Sequence, residues 1–172
     1  MRCLAWALAV AAAAGSAVAA SPPVVCNVVD YGALGDAKTY DTDAFVKAIK
    51  ACEGRGTVLV PPSPYQPSPK AYLLTPINVT SNTHLHIMEG ATIIASTNFS
   101  LWPVVAPLPS YEWELRYHGF ISGWGVENVT IDGKGVIDGQ GAPWWEARHE
   151  LNGEHLVRPR LIEPLYCNNF TI

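Results

Sequence analysis

The sequence predicts an all-β protein built as a parallel β-solenoid, in which short strands stack coil upon coil. From residue 57 onward, short β-branched runs alternate with turn residues such as Pro-Pro, Asp-Gly and Asn-Asn. An Asn-x-[Thr/His]-[Leu/Ile] motif recurs at Asn82, Asn128 and Asn169, with spacings of 46 residues (82 to 128) and 41 residues (128 to 169). No long amphipathic helix separates the runs, which disfavours a doubly wound α/β sheet. An antiparallel sandwich stays open as the alternative.

The spacing of the motif suggests the size of one coil. The two intervals differ, so the repeat has no fixed period. Each interval fits two stacked coils if a coil takes roughly twenty residues and its loops vary in length.

Strand-like runs follow one another along the chain. The first is predicted from Val25 to Tyr31 and ends at a turn over Gly32–Asp36. The later runs are rich in β-branched residues and are bounded by turn residues: Thr57–Val60, Tyr72–Leu74, His84–Ile87, Ala91–Ala95, Asn128–Ile131, Gly135–Ile137 and Arg160–Ile162.

One helix is predicted after the first strand, between Thr39 and Cys52. Its apolar residues fall at i, i+3, i+4 and i+7 and form one stripe: Phe45, Ala48, Ile49 and Cys52. Asp41 is a candidate N-cap, and Gly54 ends the helix. We expect this short helix to cap the N-terminal end of the solenoid.

Three segments lack the strand pattern and are predicted to leave the stack. Pro61–Lys70 is rich in proline, and Phe99–Trp124 is a longer segment rich in aromatic residues. Gly141–Gly153 is predicted to contain a helix that begins at Pro143. Aromatic faces suit sugar rings, but the alternative, in which these side chains pack the loop onto the solenoid wall, stays open.

The first twenty residues predict export from the cell. Residues 1–20 combine Arg2, an apolar run and the small-residue site Ala17–Ala19, which is the pattern of a secretory signal peptide. The apolar run is shorter than the roughly 20 residues that a membrane span needs, although an uncleaved anchor is the alternative. We therefore expect a secreted protein with no membrane contact after cleavage.

The charge balance excludes one class of partner. The chain carries 11 basic and 15 acidic residues, a net charge of −4. Cleavage of the expected signal peptide removes Arg2 and leaves 10 basic and 15 acidic residues, a net charge of −5. A nucleic-acid partner is disfavoured, because no basic surface would match its phosphate backbone.

Three cysteines follow the signal peptide, and an oxidising compartment favours a disulfide between two of them. Cys26 lies at the start of the first strand and Cys52 ends the helix, so we predict a Cys26–Cys52 bridge. Cys167 is then left without a partner in this chain.

Four sequons offer candidate glycosylation sites, at Asn78, Asn98, Asn128 and Asn169. Asn128 and Asn169 precede strand-like runs, where asparagine serves equally well as a turn residue. Asn98 lies in a polar loop and is the best candidate.

The densest basic cluster after the signal peptide predicts a site for a carboxylate-bearing polymer. The basic residues are Arg148, His149, His155, Arg158 and Arg160. We take Arg158 and Arg160 as candidate substrate-binding residues, because guanidinium groups bind carboxylates. The neighbouring Trp144 and Trp145 are candidates for stacking on sugar rings. In the alternative, both arginines form ion pairs with nearby acidic residues: Glu150, Glu154 and Glu163.

Two further pairs of residues are interpreted as non-catalytic. Asp132 and Asp138 each precede glycine and are predicted to make turns, since an extended chain of six residues spans roughly 20 Å. His84 and His86 would share one face of a strand, but no third ligand lies at a suitable spacing in the sequence. We therefore predict no metal site.

The order of motifs along the chain resembles that of glycoside hydrolase family 28, the polygalacturonase-type pectin hydrolases. The early motifs that carry the resemblance are Tyr31–Asp36, Asp41–Phe45 and Gly56–Pro62. The later motifs narrow it further: Glu89–Thr92, Glu127–Trp145 and Arg158–Glu163. The resemblance covers the chain from Asn27 to its last residue.

This resemblance implies that residues 21–172 are the N-terminal part of a right-handed parallel β-helix of the pectate-lyase type, incomplete at the C-terminus. It implies inverting hydrolysis of α-1,4-linked galacturonic acid, or of a related rhamnogalacturonan linkage, without a metal or an organic cofactor. The implied partner is a pectic polysaccharide, met outside the cell or in the cell wall by a protein that is monomeric when complete. Inversion requires an acid and a base whose carboxyl groups lie about 6.5–9.5 Å apart.

The sequence departs from the family where the catalytic residues are expected. The family's Asn-Thr-Asp, Asp-Asp, Gly-His and Arg-Ile-Lys motifs do not occur in it. We therefore assign no catalytic residue in this chain and expect the 172-residue chain to be inactive. The alternative is a non-catalytic β-helix that binds polysaccharide; a calcium-assisted lyase is disfavoured, because acidic ligands do not cluster in the sequence.

Overall fold

Parallel strands, arranged in three sheets, form the body of the protein. The computed structural model describes residues 24–54, 56–65, 69–106, 108, 115–150 and 158–172. The chain visits the three sheets in a repeating order and then returns to the first, which is the topology of a parallel β-helix. The antiparallel sandwich is therefore wrong. The expected signal peptide, residues 1–20, lies outside the described residues.

Each sheet takes strands from successive coils. The first sheet contains, in spatial order, β1 (Val24–Asn27), β3 (Gly56–Val60), β6 (His84–Ile87), β11 (Glu127–Gly133) and β14 (Asn168–Thr171). The second contains β2 (Asp36–Tyr40), β4 (Ala71–Leu74), β7 (Thr92–Ala95) and β12 (Val136–Asp138). The third contains β5 (Ile77–Asn78), β10 (Ile121–Trp124) and β13 (Ile162–Leu165). A separate antiparallel pair joins β8 (Val104–Val105) to β9 (Arg116–Tyr117).

The core fills the interior of the coils. Alternate side chains of a strand point to opposite faces, so each strand gives every second residue to the interior. Val58, Leu85 and Ile131 occupy one register position on β3, β6 and β11, and all three are buried. Stacking equivalent apolar residues from successive coils gives the first sheet a continuous buried face.

The coils are longer than the sequence pattern predicted. In the first sheet Thr57 pairs with His84, His84 with Thr130, and Thr130 with Thr171. One coil therefore takes 27 residues (57 to 84), 46 (84 to 130) or 41 (130 to 171). The prediction of two coils per motif interval is wrong, because long excursions between strands lengthen single coils.

Helix α1 (Thr42–Cys52) confirms the predicted apolar stripe. Phe45, Ala48, Ile49 and Cys52 are all buried on it. Asp41 occupies the N-cap position, but its carboxylate accepts hydrogen bonds from the amides of Leu34 and Gly35, at 2.6 and 3.0 Å, and not from the helix. It therefore fixes the preceding turn. Burial raises the pKa of the Asp41 carboxyl, although the two amide bonds act in the opposite sense.

The predicted disulfide is confirmed. Cys26 of β1 is bonded to Cys52 at the end of α1, with Cα atoms 6.0 Å apart. Cys167 is free and half-buried. The bridge ties the helix to the first strand of the β-helix.

Several predicted element boundaries are wrong for local reasons. The first strand ends at Asn27, whose side chain accepts a hydrogen bond from the amide of Val29 and starts a 3-10 helix over Val28–Tyr31. The aromatic segment Phe99–Trp124 does not leave the stack entirely, because β10 forms its last four residues. Helix α2 (Gly141–Glu150) begins two residues before the predicted Pro143.

Among the described residues, no helix has the length and apolar character that crossing a bilayer requires.

Candidate functional site

Trp144 on α2 is the centre of an aromatic cluster. Its ring centroid lies 4.3 Å from that of Phe99, 5.1 Å from Trp102 and 4.8 Å from Tyr117. Only 6% of Trp144 is exposed, so these contacts cover its ring faces. The geometry gives Trp144 a packing role. It holds the aromatic segment Phe99–Trp124, called the aromatic loop below, against α2.

Trp145, the next residue, faces the other way and is 58% exposed. The guanidinium carbon of Arg158 lies 3.2 Å from the centroid of its ring, which is a cation–π contact. Arg158 is half-buried, and its Nη1 is shielded from solvent without a hydrogen-bond partner among the described residues. The structure thus brings one largely exposed aromatic ring and one cation together.

Arg160 is held by an acidic residue, as the ion-pair alternative predicted. Its Nη1 lies 2.8 Å from Oε1 of Glu163, while Nη1 of the buried Arg116 approaches the same oxygen at 2.6 Å. The amide of Gly119 donates to the other carboxylate oxygen at 3.1 Å. Burial of Glu163 opposes ionisation, but the hydrogen bonds from the two arginines outweigh it and lower the pKa of this carboxyl. Glu163 is therefore an anion that positions Arg160.

The Arg116–Glu163 pair also fastens the aromatic loop to the coil. Arg116 belongs to β9, and its Nε donates to the carbonyl of Ala106 at 3.2 Å. Glu163 belongs to β13, in the third parallel sheet. Sequence reasoning missed this pair, because Arg116 lies in a segment without strand pattern.

The rest of the predicted basic cluster lies outside what the structure describes. Arg148 and His149 fall on the backbone of α2, but their side chains are not among the described ones, and neither is any part of His155. The expected pairing of arginines with Glu150 or Glu154 falls outside the described residues in the same way.

A second polar cluster lies on the outer face of the first sheet. Nδ1 of His86 lies 2.6 Å from Oδ1 of Asp132, and Nε2 of His84 lies 3.0 Å from the same oxygen. The two histidines come from β6 and the aspartate from β11, where Asp132 pairs directly with His86. Partial burial of Asp132 is outweighed by its contacts with His86 and His84, which lower the pKa of the carboxyl.

These three residues form the group that has metal-ligating atoms within 4.8 Å of one another in the described part of the chain. The sequence interpretation found no third ligand for His84 and His86, because Asp132 is 46 residues away. A signal was nevertheless present. Counted from the recurring asparagines Asn82 and Asn128, His86 and Asp132 hold the same fourth position.

The two Asp-Gly pairs differ in role. Asp138 accepts a hydrogen bond from the amide of Gln140 at 2.8 Å and makes a turn, as predicted. Asp132 instead lies inside β11, and the positive φ, +119°, falls to Gly133, the last residue of that strand. A Cβ on Gly133 would collide with the carbonyl oxygen of Ile87, so this position requires glycine.

The side chains of the recurring asparagines form a hydrogen-bonded ladder that runs from coil to coil across the first sheet. Nδ2 of Asn128 donates to Oδ1 of Asn82 at 3.1 Å, and Nδ2 of Asn169 donates to Oδ1 of Asn128 at 2.9 Å. All three have φ between 53° and 59°, the left-handed region that asparagine tolerates better than most residues. Asn128 and Asn169 thus have a positive φ, but they lie inside strands β11 and β14 and not in turns before them. Asn98 and Asn78 are exposed and lie outside the ladder.

Comparison with known proteins places the chain in a family. The family model described as Glycosyl hydrolases family 28 matches residues 66–172. The chain belongs to this family. The resemblance drawn from the motifs is therefore confirmed.

Relatives of this family 28 chain are longer than the chain itself. It is 34% identical over 157 residues to a "Probable polygalacturonase" of Vitis vinifera, which covers 85% of the chain and 30% of the relative. It is 32% identical over 127 residues to an "Exo-poly-alpha-D-galacturonosidase" of Dickeya chrysanthemi, covering 69% of the chain and 20% of the relative. The chain thus spans about a third or less of these relatives.

The fold agrees with solved structures of the same family. The chain superposes on a hyperthermoactive exopolygalacturonase from Thermotoga maritima with a TM-score of 0.66 and 23% identity, over 87% of the chain and 40% of that structure. At this identity the match concerns the fold alone.

Proposed function

We propose that the chain is part of a secreted hydrolase that cleaves O-glycosidic bonds in a pectic polysaccharide. The observation that carries the proposal is the family 28 match over residues 66–172, together with relatives named as polygalacturonases. The proposed fold is a right-handed β-helix, the hand that parallel crossover connections take in nearly all proteins. In this fold α1 would cover the N-terminal end of the stack, where it already packs on β1 and β3.

Within these 172 residues, we assign substrate binding and no catalytic step. Trp145 offers an exposed ring, Arg158 lies over that ring, and Arg160 is oriented by Glu163. An acidic sugar chain would stack on the ring and place its carboxylates near the arginines. Trp144 is left out of this contact surface because it is buried. The family's catalytic motifs are absent from the 172 residues, so the acid and base of an inverting reaction have no candidates here.

The direct test is an assay of the purified 172-residue chain with polygalacturonate. We expect retarded migration in polygalacturonate-containing native gels and no release of reducing ends. Release of reducing ends by this chain would show that the catalytic groups lie within it after all.

A matched pair of variants tests the assigned surface. Trp145→Ala should weaken polygalacturonate binding, whereas Trp124→Ala should not. Trp124 is a suitable control, because it is 64% exposed on β10 and its ring contacts Tyr166 edge to face. Equal retardation of both variants would remove Trp145 from the binding surface.

A non-catalytic polysaccharide-binding protein is the second candidate. The contact between the exposed Trp145 and the half-buried Arg158 favours it, since both residues lie within the chain. Sequencing the transcript beyond the codon for Ile172 separates the two functions. An open frame with the Asn-Thr-Asp, Asp-Asp and Gly-His motifs supports the hydrolase, and a stop codon supports the binding protein.

Secretion, to the exterior or the cell wall, is part of the proposal, and so is a monomeric state. Expression in a secreting eukaryotic host should give a protein in the medium whose N-terminus lies near Ser21. An intact Met1 on the secreted protein would refute the proposed signal cleavage, and a dimer by light scattering would refute the monomer.

A further inference from the structure

The outer face of the first sheet carries a group of side chains that substrate binding does not use. His84 and His86 are two residues apart on β6 and therefore point to the same side, away from the buried Leu85 and Ile87. The parallel register places Asp132 of β11 beside His86. Successive coils thus bring two imidazoles and one carboxylate to a single point.

The donor atoms suit a transition-metal ion. Nε2 of His84, Nδ1 of His86 and a carboxylate oxygen of Asp132 lie within 4.8 Å of one another. Zinc binds histidine nitrogen and carboxylate oxygen at about 2.0–2.2 Å, which places ligand atoms roughly 3.3 Å apart around a tetrahedral ion. The distances from Asp132 Oδ1 to the imidazole nitrogens, 2.6 and 3.0 Å, are somewhat shorter. A side-chain movement of less than about 1 Å would bring them to that spacing.

A neighbouring hydroxyl orients one of the ligands. Oγ1 of Thr57, on β3, lies 3.1 Å from Nδ1 of His84. When Nδ1–H donates to this hydroxyl, Nε2 carries the lone pair, which is the form that binds a metal. Metal-ligating histidines commonly have such an outer partner.

The remaining nitrogen of His84 lacks a hydrogen bond. Nε2 is shielded from solvent, and its 3.0 Å contact with Asp132 is not aligned for hydrogen bonding. When Nδ1 carries the proton, the lone pair of Nε2 faces a carboxylate oxygen of Asp132. A bound cation between the two atoms would turn this unfavourable contact into coordination by both.

We propose that His84, His86 and Asp132 bind one Zn²⁺ ion or a similar first-row transition-metal ion. Water completes its coordination, because the side chains are about two-fifths exposed and supply three ligands. Mg²⁺ and Ca²⁺ are poor candidates, since they prefer oxygen ligands. The ion joins residues 46 positions apart in sequence, so its role is to link two successive coils. This site is independent of the proposed hydrolase function.

The test is calorimetric titration of the untagged 172-residue chain with ZnCl₂ in a non-chelating buffer. We expect one ion per chain, a raised Tm with Zn²⁺, and neither effect with MgCl₂ or CaCl₂. His84→Gln and Asp132→Asn should each weaken Zn²⁺ binding by more than about tenfold, and Thr57→Val by about tenfold, the lower end of the effect of losing an outer partner. Co²⁺ should give a visible absorption band that Asp132→Asn abolishes.

Two controls separate this site from unspecific binding. His118→Gln removes a histidine outside the cluster, and Glu89→Gln removes an exposed carboxylate on a neighbouring turn; both should bind Zn²⁺ as the parent does. Circular dichroism without metal checks that every variant is folded. The proposal is overturned if no saturable binding is seen up to about 1 mM Zn²⁺. It is also overturned if His84→Gln and Asp132→Asn bind Zn²⁺ as tightly as the parent.

Discussion

Replacement of Glu163 by glutamine tests how the aromatic loop is fastened to the coil. The side chain of Glu163 is 2% exposed and that of Arg116 is 5% exposed, so the substitution leaves a guanidinium buried without its counter-charge. Breaking a buried ion pair in this way costs about 3–5 kcal/mol. Arg160 is 40% exposed, and the loss of its pair should add at most about 1 kcal/mol. A total near 4 kcal/mol is a large part of the stability of a domain, which is typically about 5–15 kcal/mol.

The assay is equilibrium unfolding in urea, followed by tryptophan fluorescence and circular dichroism. Glu89→Gln is the matched control, because Glu89 meets Lys134 at 3.9 Å and both side chains are 80% exposed. We expect the control to change the free energy of unfolding by less than about 0.5 kcal/mol. The double substitution Arg116→Met with Glu163→Gln should recover much of the loss, since it removes the unpaired charge. A loss below about 1 kcal/mol for Glu163→Gln alone would refute the reasoning.

The remaining predictions concern acid, the ladder, the disulfide and glycosylation. The pKa of Glu163 in the folded state lies below its ordinary value of 4.5. The ionised carboxylate therefore contributes fully to the free energy of unfolding above pH 4.5, and this contribution is lost as the pH falls through the folded pKa. Tm measured from pH 6 to pH 2 should fall less steeply in Glu163→Gln than in the parent. Asn128→Ala removes two ladder hydrogen bonds and places alanine at φ +54°, so the free energy of unfolding in urea should fall by about 2–3 kcal/mol. Asn128→Gly avoids the backbone strain and should lose only about 1 kcal/mol. Equal losses in the two variants would show that strain plays no part. Joint replacement of Cys26 and Cys52 by alanine should cost about 3–4 kcal/mol, because the bridge closes a segment with a sequence separation of 26; an unchanged urea midpoint would contradict this. Glycopeptide mapping of the secreted chain should find Asn98 occupied and Asn128 largely unoccupied, since Nδ2 of Asn128 donates within the ladder; full occupancy at Asn128 would argue against a stable ladder.

Sequence reasoning could predict those parts of the fold that depend on local pattern. The helix stripe from Phe45 to Cys52 has a period that only a helix satisfies, and the β6 run His84–Ile87 alternates as a half-buried strand does. The lengths of the coils could not be predicted, because β10 begins directly after an irregular aromatic segment and leaves no local mark of its start. The start of the 3-10 helix at Val28 depends on one hydrogen bond, which the Asn27 side chain accepts from the amide of Val29.

The candidate site was predictable only in part, because its contacts join distant parts of the chain. The sequence indicated Trp145, Arg158 and Arg160 by composition, but the burial of Trp144 depends on partners such as Phe99, 45 positions earlier (144 − 99). Neither the charge nor the spacing of Arg116 links it to Glu163, 47 positions later. The histidine–aspartate cluster is different, because the recurring asparagines indicate which residues of β6 and β11 lie side by side. Aligning the repeats on their asparagines would have placed His86 beside Asp132.

The asparagine ladder has a consequence for how this protein tolerates change. Asn82, Asn128 and Asn169 return to the same corner after 46 and 41 residues, so the corner is kept while the path between corners varies in length. Additional residues between β7 and β10 would enlarge a surface loop and leave the stacking of the first sheet as it is. One extra residue immediately after Asn128 would instead turn Val129 outward and exchange the inner and outer faces of β11. Loop length and strand register can therefore change independently of each other in this fold.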